Sequence, residues 1–259
     1  MSRPTKSQRS SGKLERNIGL ARALSKLGFC SRAQASELIR AARVRLNGAV
    51  RRDPETPVHI GKDKIEVDGK PVAAAQRIYL LLNKPPGFVT TASDERGRAT
   101  VYSLLNPNLP WVAPVGRLDK DTEGLLLLTN DSAWGARVAA PETHMDKIYQ
   151  VQIGGPANAA LLQSLVKGVR TKHGEILRAK RASILRQEER NTWLEIVLDE
   201  GRNRHIRRML ESLGIEVLRL IRAAIGPLTL WGLPKGAVRI LTPAEKTFMD
   251  RAMQSKAQI

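Results

Sequence analysis

The chain has 259 residues, 42% of them hydrophobic, a single cysteine and a formal net charge of +18. That length suits about two domains, each able to bury a core, and the lone Cys30 excludes an internal disulfide and suits a reducing compartment. So large a positive charge calls for a polyanionic partner; with no apolar run of membrane-spanning length and no apolar signal core at the N-terminus, nucleic acid is favoured over membrane, in a soluble, cytoplasmic, monomeric protein.

Small-molecule helpers find little support. His59, His144, His173 and His205 are scattered, with no HxxxH or CxxC spacing, so no metal site is expected. Neither GxGxxG nor GxxxxGK[ST] occurs, so no nucleotide cofactor is expected.

In chain order, residues 1–17 are rich in Ser, Lys and Arg and too poor in apolar groups to order a backbone, which predicts a flexible basic arm. A small domain follows over 18–72. Leu20, Leu24 and Leu27, then Ala35, Leu38 and Ile39, recur at helical spacing on either side of Gly28-Phe29-Cys30-Ser31, where Gly28 suits a helix end and Ser31 the next N-cap. Residues 44–50 read as a hairpin turning at Asn47-Gly48, and 64–70 as another strand and turn. Between Gly19 and Arg52, eight basic residues stand against the single acid Glu37. A solvated face interleaves both signs, so crowding of one sign points to phosphate. The helix, the Gly-Phe-Cys-Ser-Arg-Ala turn, the second helix and the Arg-Val-Arg-Leu-Asn-Gly hairpin resemble the small RNA-binding domain named after ribosomal small-subunit protein four. That resemblance implies an RNA face of Arg22, Ser31, Arg32, Arg43 and Asn47.

Residues 73–77 form a linker to a second domain over 78–245, with a tail at 246–259 whose start continues a closing helix. The domain opens on an apolar strand running into Lys84-Pro85-Pro86-Gly87, a turn stiffened by proline. Strand-like runs at 125–129, 147–153, 192–198 and 216–221 mix with a few helices, which argues for an α+β fold. Leu125 to Leu128 lack polar alternation, the mark of a strand buried on both faces.

Three stretches of this domain carry reactive groups. Residues 115–131, VGRLDKDTEGLLLLTND, place Asp119 on a loop entering that strand, two residues after Arg117; an isolated GRLD can equally be a turn whose aspartates cap backbone amides. In Lys147-Ile-Tyr-Gln-Val-Gln-Ile153, alternation puts Lys147, Tyr149, Val151 and Ile153 on one face, so Tyr149 is either core or a flat platform for a base. In the stretch from Glu200 to Leu210, Ile206, Met209, Leu210 and Leu213 fall on one side of a helix; Arg204, Arg207 and Arg208 fall on the other, as a solvated surface or a phosphate site that also holds Asp119 ionised.

Together with Leu82-Asn-Lys-Pro-Pro-Gly87, these blocks resemble the pseudouridine synthases, in the RsuA/RluB-type branch that modifies ribosomal RNA. The resemblance runs from about residue 19 to residue 245. It implies a synthase domain built on a mixed, mostly antiparallel β-sheet with flanking helices, needing no external cofactor. By it Asp119 is the essential aspartate, Tyr149 the stacking tyrosine, Arg207 the basic partner of the aspartate and Leu220 the apolar wall of a uracil pocket. Arg208 can stand in for Arg207, and Leu218 or Ile221 for Leu220. Arg117, Lys147, Arg202, Arg204 and Arg208 join the RNA-binding set. His205 stands where many members have glutamine. The implied partner is ribosomal RNA or an assembly intermediate, closer to the large-subunit than the small-subunit modifiers. A glycosidase would need a second carboxylate beside Asp119, nominally Asp121 or Glu123, and has no use for the charge. A non-catalytic RNA-binding or ribosome-assembly factor is the remaining alternative; it explains the charge but not Asp119.

Overall fold

The computed structural model describes residues 17–92 and 94–254. Apart from Asn17, the basic arm lies outside the described residues, as does the chain beyond Gln254. Contacts divide the chain into two units between Ala75 and Gln76.

In the first unit, α1 (Leu20–Lys26) and α2 (Arg32–Arg40) form where the apolar spacing places them. Ser31 caps α2: its hydroxyl accepts from the Gln34 backbone N–H, and the Gln34 side chain accepts from the Ser31 N–H, each at 3.1 Å. Strands β1 (Val44–Leu46) and β2 (Ala49–Arg51) pair through Asn47-Gly48, both left-handed, with φ of 52° and 80°. Strand β3 (Ile65–Val67) pairs with β1 on its other side, and β4 (Lys70–Pro71) completes the sheet. Leu20, Leu24, Ile39, Val44 and Ile65 meet in one buried core.

The second unit is built on a nine-stranded sheet. Its strands are β5 (Tyr79–Lys84), β6 (Glu123–Thr129), β7 (Lys147–Gly154), β8 (Arg181–Gln187), β9 (Asn191–Leu198), β10 (Val217–Ile225) and β11 (Val238–Ile240). They lie in the order β8-β9-β7-β10-β6-β5-β11, with the short strands Ala113–Val115 and Leu228–Thr229 added against β6 and β10. All pairs are antiparallel except β6 with β10, where Ile221 and Arg222 run parallel to Glu123 and Gly124. The fold is the mixed, mostly antiparallel sheet with helices that the resemblance implies.

Helices α3 (Ser132–Ala139), α4 (Ala159–Lys167), α5 (His205–Ser212) and α6 (Pro243–Gln254) pack on this sheet. Helices α4 and α5 bury Leu165, Ile206, Met209 and Leu210 against Val151, Ile153 and Leu220. Leu213, expected on the same side as Ile206, lies past the end of α5 and is 38% exposed. Helices α3 and α6 cover Leu125 and Leu127, while Leu126 and Leu128 turn to Leu80, Leu82 and Val101 on the opposite side. Every residue of β6 is therefore buried, as its unbroken leucines predict. The closing helix does not trail: Met249 and Met253 insert into the core beside Trp134.

The parallel junction has a steric condition. Gly124 sits at φ +106°, and a Cβ there would stand 2.3 Å from the carbonyl oxygen of Arg222. Backbone cannot yield as a flexible side chain can, so Gly124→Ala must strain its own torsion and push β6 from β10. The expected loss is about 3 kcal/mol or more, read as a lowered urea midpoint.

Candidate active site

The loop carrying Asp119 is held rigidly from beneath. Lys84, at the end of β5, is fully buried, and its ammonium donates to the carbonyls of Pro85 at 3.1 Å, Lys120 at 3.1 Å and Thr122 at 2.7 Å. The Gly87 N–H donates to the same Lys120 carbonyl at 2.9 Å, and the Thr90 hydroxyl donates to the carbonyl of Leu118 at 2.8 Å. The Lys-Pro-Pro-Gly turn is thus the floor of the aspartate loop. Burial pushes the Lys84 ammonium down to about 8, opposed by the charges of Asp121 and Asp119.

Above this floor Asp119 faces an open cleft whose walls bring together distant segments. Tyr149 comes from β7, Leu220 and Arg222 from β10, and Gly201 to Arg204 from the turn into α5. A register shift between Ile148 and Tyr149 in the β7–β10 pairing re-aims the strand at the tyrosine. Arg117, Lys147, Arg202, Arg204 and Arg222 all line the cleft, and among the described residues Asp119 is its one carboxylate. The second acid that a glycosidase needs is missing from the wall. Glu123 is buried in pairs with Arg219 at 3.0 Å and Lys235 at 2.6 Å, and Asp121 does not line the cleft.

Leu220 lines the cleft together with Arg222, two residues on; alternation turns Ile221 to the other face, and Leu218 falls outside the cleft at the register irregularity where β10 pairs with Gln152 and Ile153. Arg207 departs from its expected place. It makes no ion pair with Asp119 among the described residues; instead it donates to the backbone carbonyls of Asp121 at 3.2 Å and Val217 at 3.4 Å. It therefore ties the aspartate loop to β10. Burial lowers its affinity for a proton, Arg204 adds to this, and Asp121 and Asp119 oppose it. Arg208 cannot replace it, since its guanidinium is bonded to Glu175. That carboxylate also takes Arg202 at 2.8 Å, so two cations expected to meet RNA are engaged by an acid whose own pKa they hold down. Neither Arg117 nor Arg204 is paired with an acid among the described residues. Lys147 reaches the Asp199 carbonyl at 3.4 Å. His205 is buried on the cleft wall, where desolvation disfavours its charged form.

In the first unit, three of the five residues expected to face RNA serve the fold. The Ser31 hydroxyl is the α2 cap. Asn47 bonds the Lys64 N–H at 2.9 Å and Asp63 at 3.0 Å, closing the hairpin. Arg43 forks onto Asp68 at 2.8 and 2.5 Å. Ser31 is buried, whereas Arg22, Arg32, Arg43 and Asn47 are all exposed, Arg22 and Arg32 without an acid partner among the described residues.

Two residues of the site were missed at the level of sequence, Arg222 and Lys84. Arg222 lies in a strand read as ending at residue 221, where a charge among apolar neighbours was the available signal. Lys84 opens the Lys-Pro-Pro-Gly turn, where no neighbouring residue marks it as buried.

A family model described as RNA pseudouridylate synthase matches residues 78–212, and one described as the S4 domain matches residues 18–65. Ribosomal large subunit pseudouridine synthase B of Bacillus subtilis (strain 168) is 38% identical over 228 residues, covering 87% of this chain and 93% of that one. An uncharacterised RNA pseudouridine synthase of Aquifex aeolicus (strain VF5) is 37% identical over 234 residues, covering 90% and 94%. A crystal structure of a pseudouridylate synthase superposes with a TM-score of 0.63 at 27% identity, covering 90% of this chain and 99% of that chain.

Proposed function

Since the chain belongs to the RNA pseudouridylate synthase family, in the RsuA/RluB branch with an N-terminal S4 domain, we propose that it isomerises a specific uridine of large-subunit ribosomal RNA with Asp119 as the essential acid. The observation that carries this reading is the composition of the cleft: one carboxylate among five cationic side chains, with Tyr149 and Leu220 beside it. Cations at the rim suit the phosphates of an RNA strand, and an extruded uridine needs a platform to offset the few kcal/mol lost on leaving its stack, about what a tyrosine ring supplies. Asp119 is then placed to act as nucleophile or base while the uracil turns. The Bacillus relative's name favours the large-subunit RNA.

Mapping pseudouridines across both ribosomal RNAs in cells with and without the gene tests this. One site should vanish from the large-subunit RNA; loss confined to the small-subunit RNA would move the substrate, and no loss from either would remove ribosomal RNA from the account. The S4 unit supplies affinity in this reading. Arg22→Glu with Arg32→Glu should weaken RNA binding at every sequence tested and reduce the slope of log affinity against log salt by about 1 for each phosphate that is no longer neutralised. An unchanged slope in a salt titration would take these two residues out of the RNA-binding face.

A further inference from the structure

Arg222 is the cleft residue whose chemistry the reading above leaves unused. It is only 5% exposed. Its Nε donates to the Leu125 carbonyl at 2.8 Å, which fixes the guanidinium against β6, while Nη2 is buried with no hydrogen-bond partner among the described residues. A charged group so deeply buried is retained at high cost unless something meets its donors. Arg222 nonetheless lines the cleft together with Asp119, so the part of its guanidinium that Leu125 does not hold borders the space a base would fill. Across the sheet Arg222 is the register partner of Tyr149, so the two side chains leave neighbouring strands on the face that lines the cleft.

We propose that Arg222 is a further catalytic residue, donating from its free guanidinium edge to a carbonyl oxygen of the flipped uracil. The inference rests on the reading of this cleft as the active site. When the bond from N1 to C1′ breaks, its electron pair stays on the base and spreads onto the ring carbonyl oxygens. When C5 then bonds to C1′, the proton on C5 is released and N1 takes one up, so nothing is gained or lost overall. A fixed donor beside those oxygens is worth most at the moment they carry charge.

Single-turnover rates at saturating RNA should fall about a hundredfold or more in Arg222→Met, with RNA affinity held close to the parent value. RNA with sulfur in place of oxygen at position 2 or position 4 of the target uridine locates the hydrogen bond, since sulfur accepts poorly. At one of the two positions the thio substitution should slow the parent enzyme and cost little further in Arg222→Met. If both thio effects persist in full in the variant, Arg222 does not touch the base and the proposal fails; it fails equally if Arg222→Met turns over at the parent rate. Should the methionine variant not fold, as judged by its melting, Arg222→Lys keeps the charge without the fork and carries the same comparison. Asp119→Asn is measured alongside: an active Asp119→Asn overturns the site itself, whereas an inactive one beside an active Arg222→Met overturns Arg222 alone.

Discussion

Replacing Asp119 with asparagine is expected to lower the rate of pseudouridine formation by about 10⁴-fold or more, the scale seen when a nucleophile or base is removed from a preformed site. The amide has nearly the same size, and the backbone hydrogen bond from the Thr122 N–H to the Asp119 carbonyl at 3.1 Å is untouched, so the loop should keep its shape. RNA affinity should be equal or slightly tighter, because the substitution removes the one negative charge from a cleft lined by five cationic side chains. That pairing of outcomes separates a synthase from a non-catalytic assembly factor. A single-turnover assay with a filter-binding titration reads both, and conversion at the parent rate would end the assignment.

Lys84→Met should produce the second large effect. Three carbonyls now served by one buried ammonium would lose it, and of these Lys120 would keep a donor in the Gly87 N–H. Set against relief from burying a charge, the expected cost is about 2–4 kcal/mol of stability. Because two of those carbonyls belong to Lys120 and Thr122, the loop should slacken and the rate fall about 10²-fold, as for an ångström of misplacement. Denaturant unfolding and kcat measure the two effects separately; a variant that shows neither would mean that the floor is dispensable. The pH dependence carries an opposed pair of signs. Burial pushes the Lys84 ammonium from 10.5 down to about 8, so between those values the unfolded chain holds the extra proton and folding stability should rise with pH. Over the same interval the neutral amine has two donors for three carbonyls, so turnover should fall. In Lys84→Met both responses should be gone.

Much of this arrangement was legible because the relevant signals are local. Ser31 followed by Gln34, Asn47 followed by Gly48, and four leucines without alternation each name their own structure through a cap, a turn and a doubly buried strand. Asp119, Tyr149 and Leu220 were found through motifs, and the fold brings them to one cleft. What escaped depends on pairings across the chain. Nothing near Arg207 shows that its guanidinium will meet the carbonyl of Asp121, and nothing near Arg208 shows that Glu175 will claim it. The burial of Lys84 is set by residues 120 and 122, and that of Arg222 by Leu125. Charge alone assigns such residues to the surface. In the first unit the bonds of Arg43 to Asp68 and of Asn47 to Lys64 are likewise set across the chain, though both residues stay exposed.

The leucine run of β6 has a corollary for how the chain tolerates change in length. A strand greasy on both sides carries bulk but no address, since sliding it by one residue still offers leucine to either neighbour. The address comes from two fixed points, the lysine beneath residues 120 and 122 and the side-chain-free position 124 against the backbone of Arg222. The stretch between the acid and that glycine therefore acts as a ruler. An inserted or deleted residue there would leave the hydrophobic interior content and carry the carboxylate out of reach of its substrate.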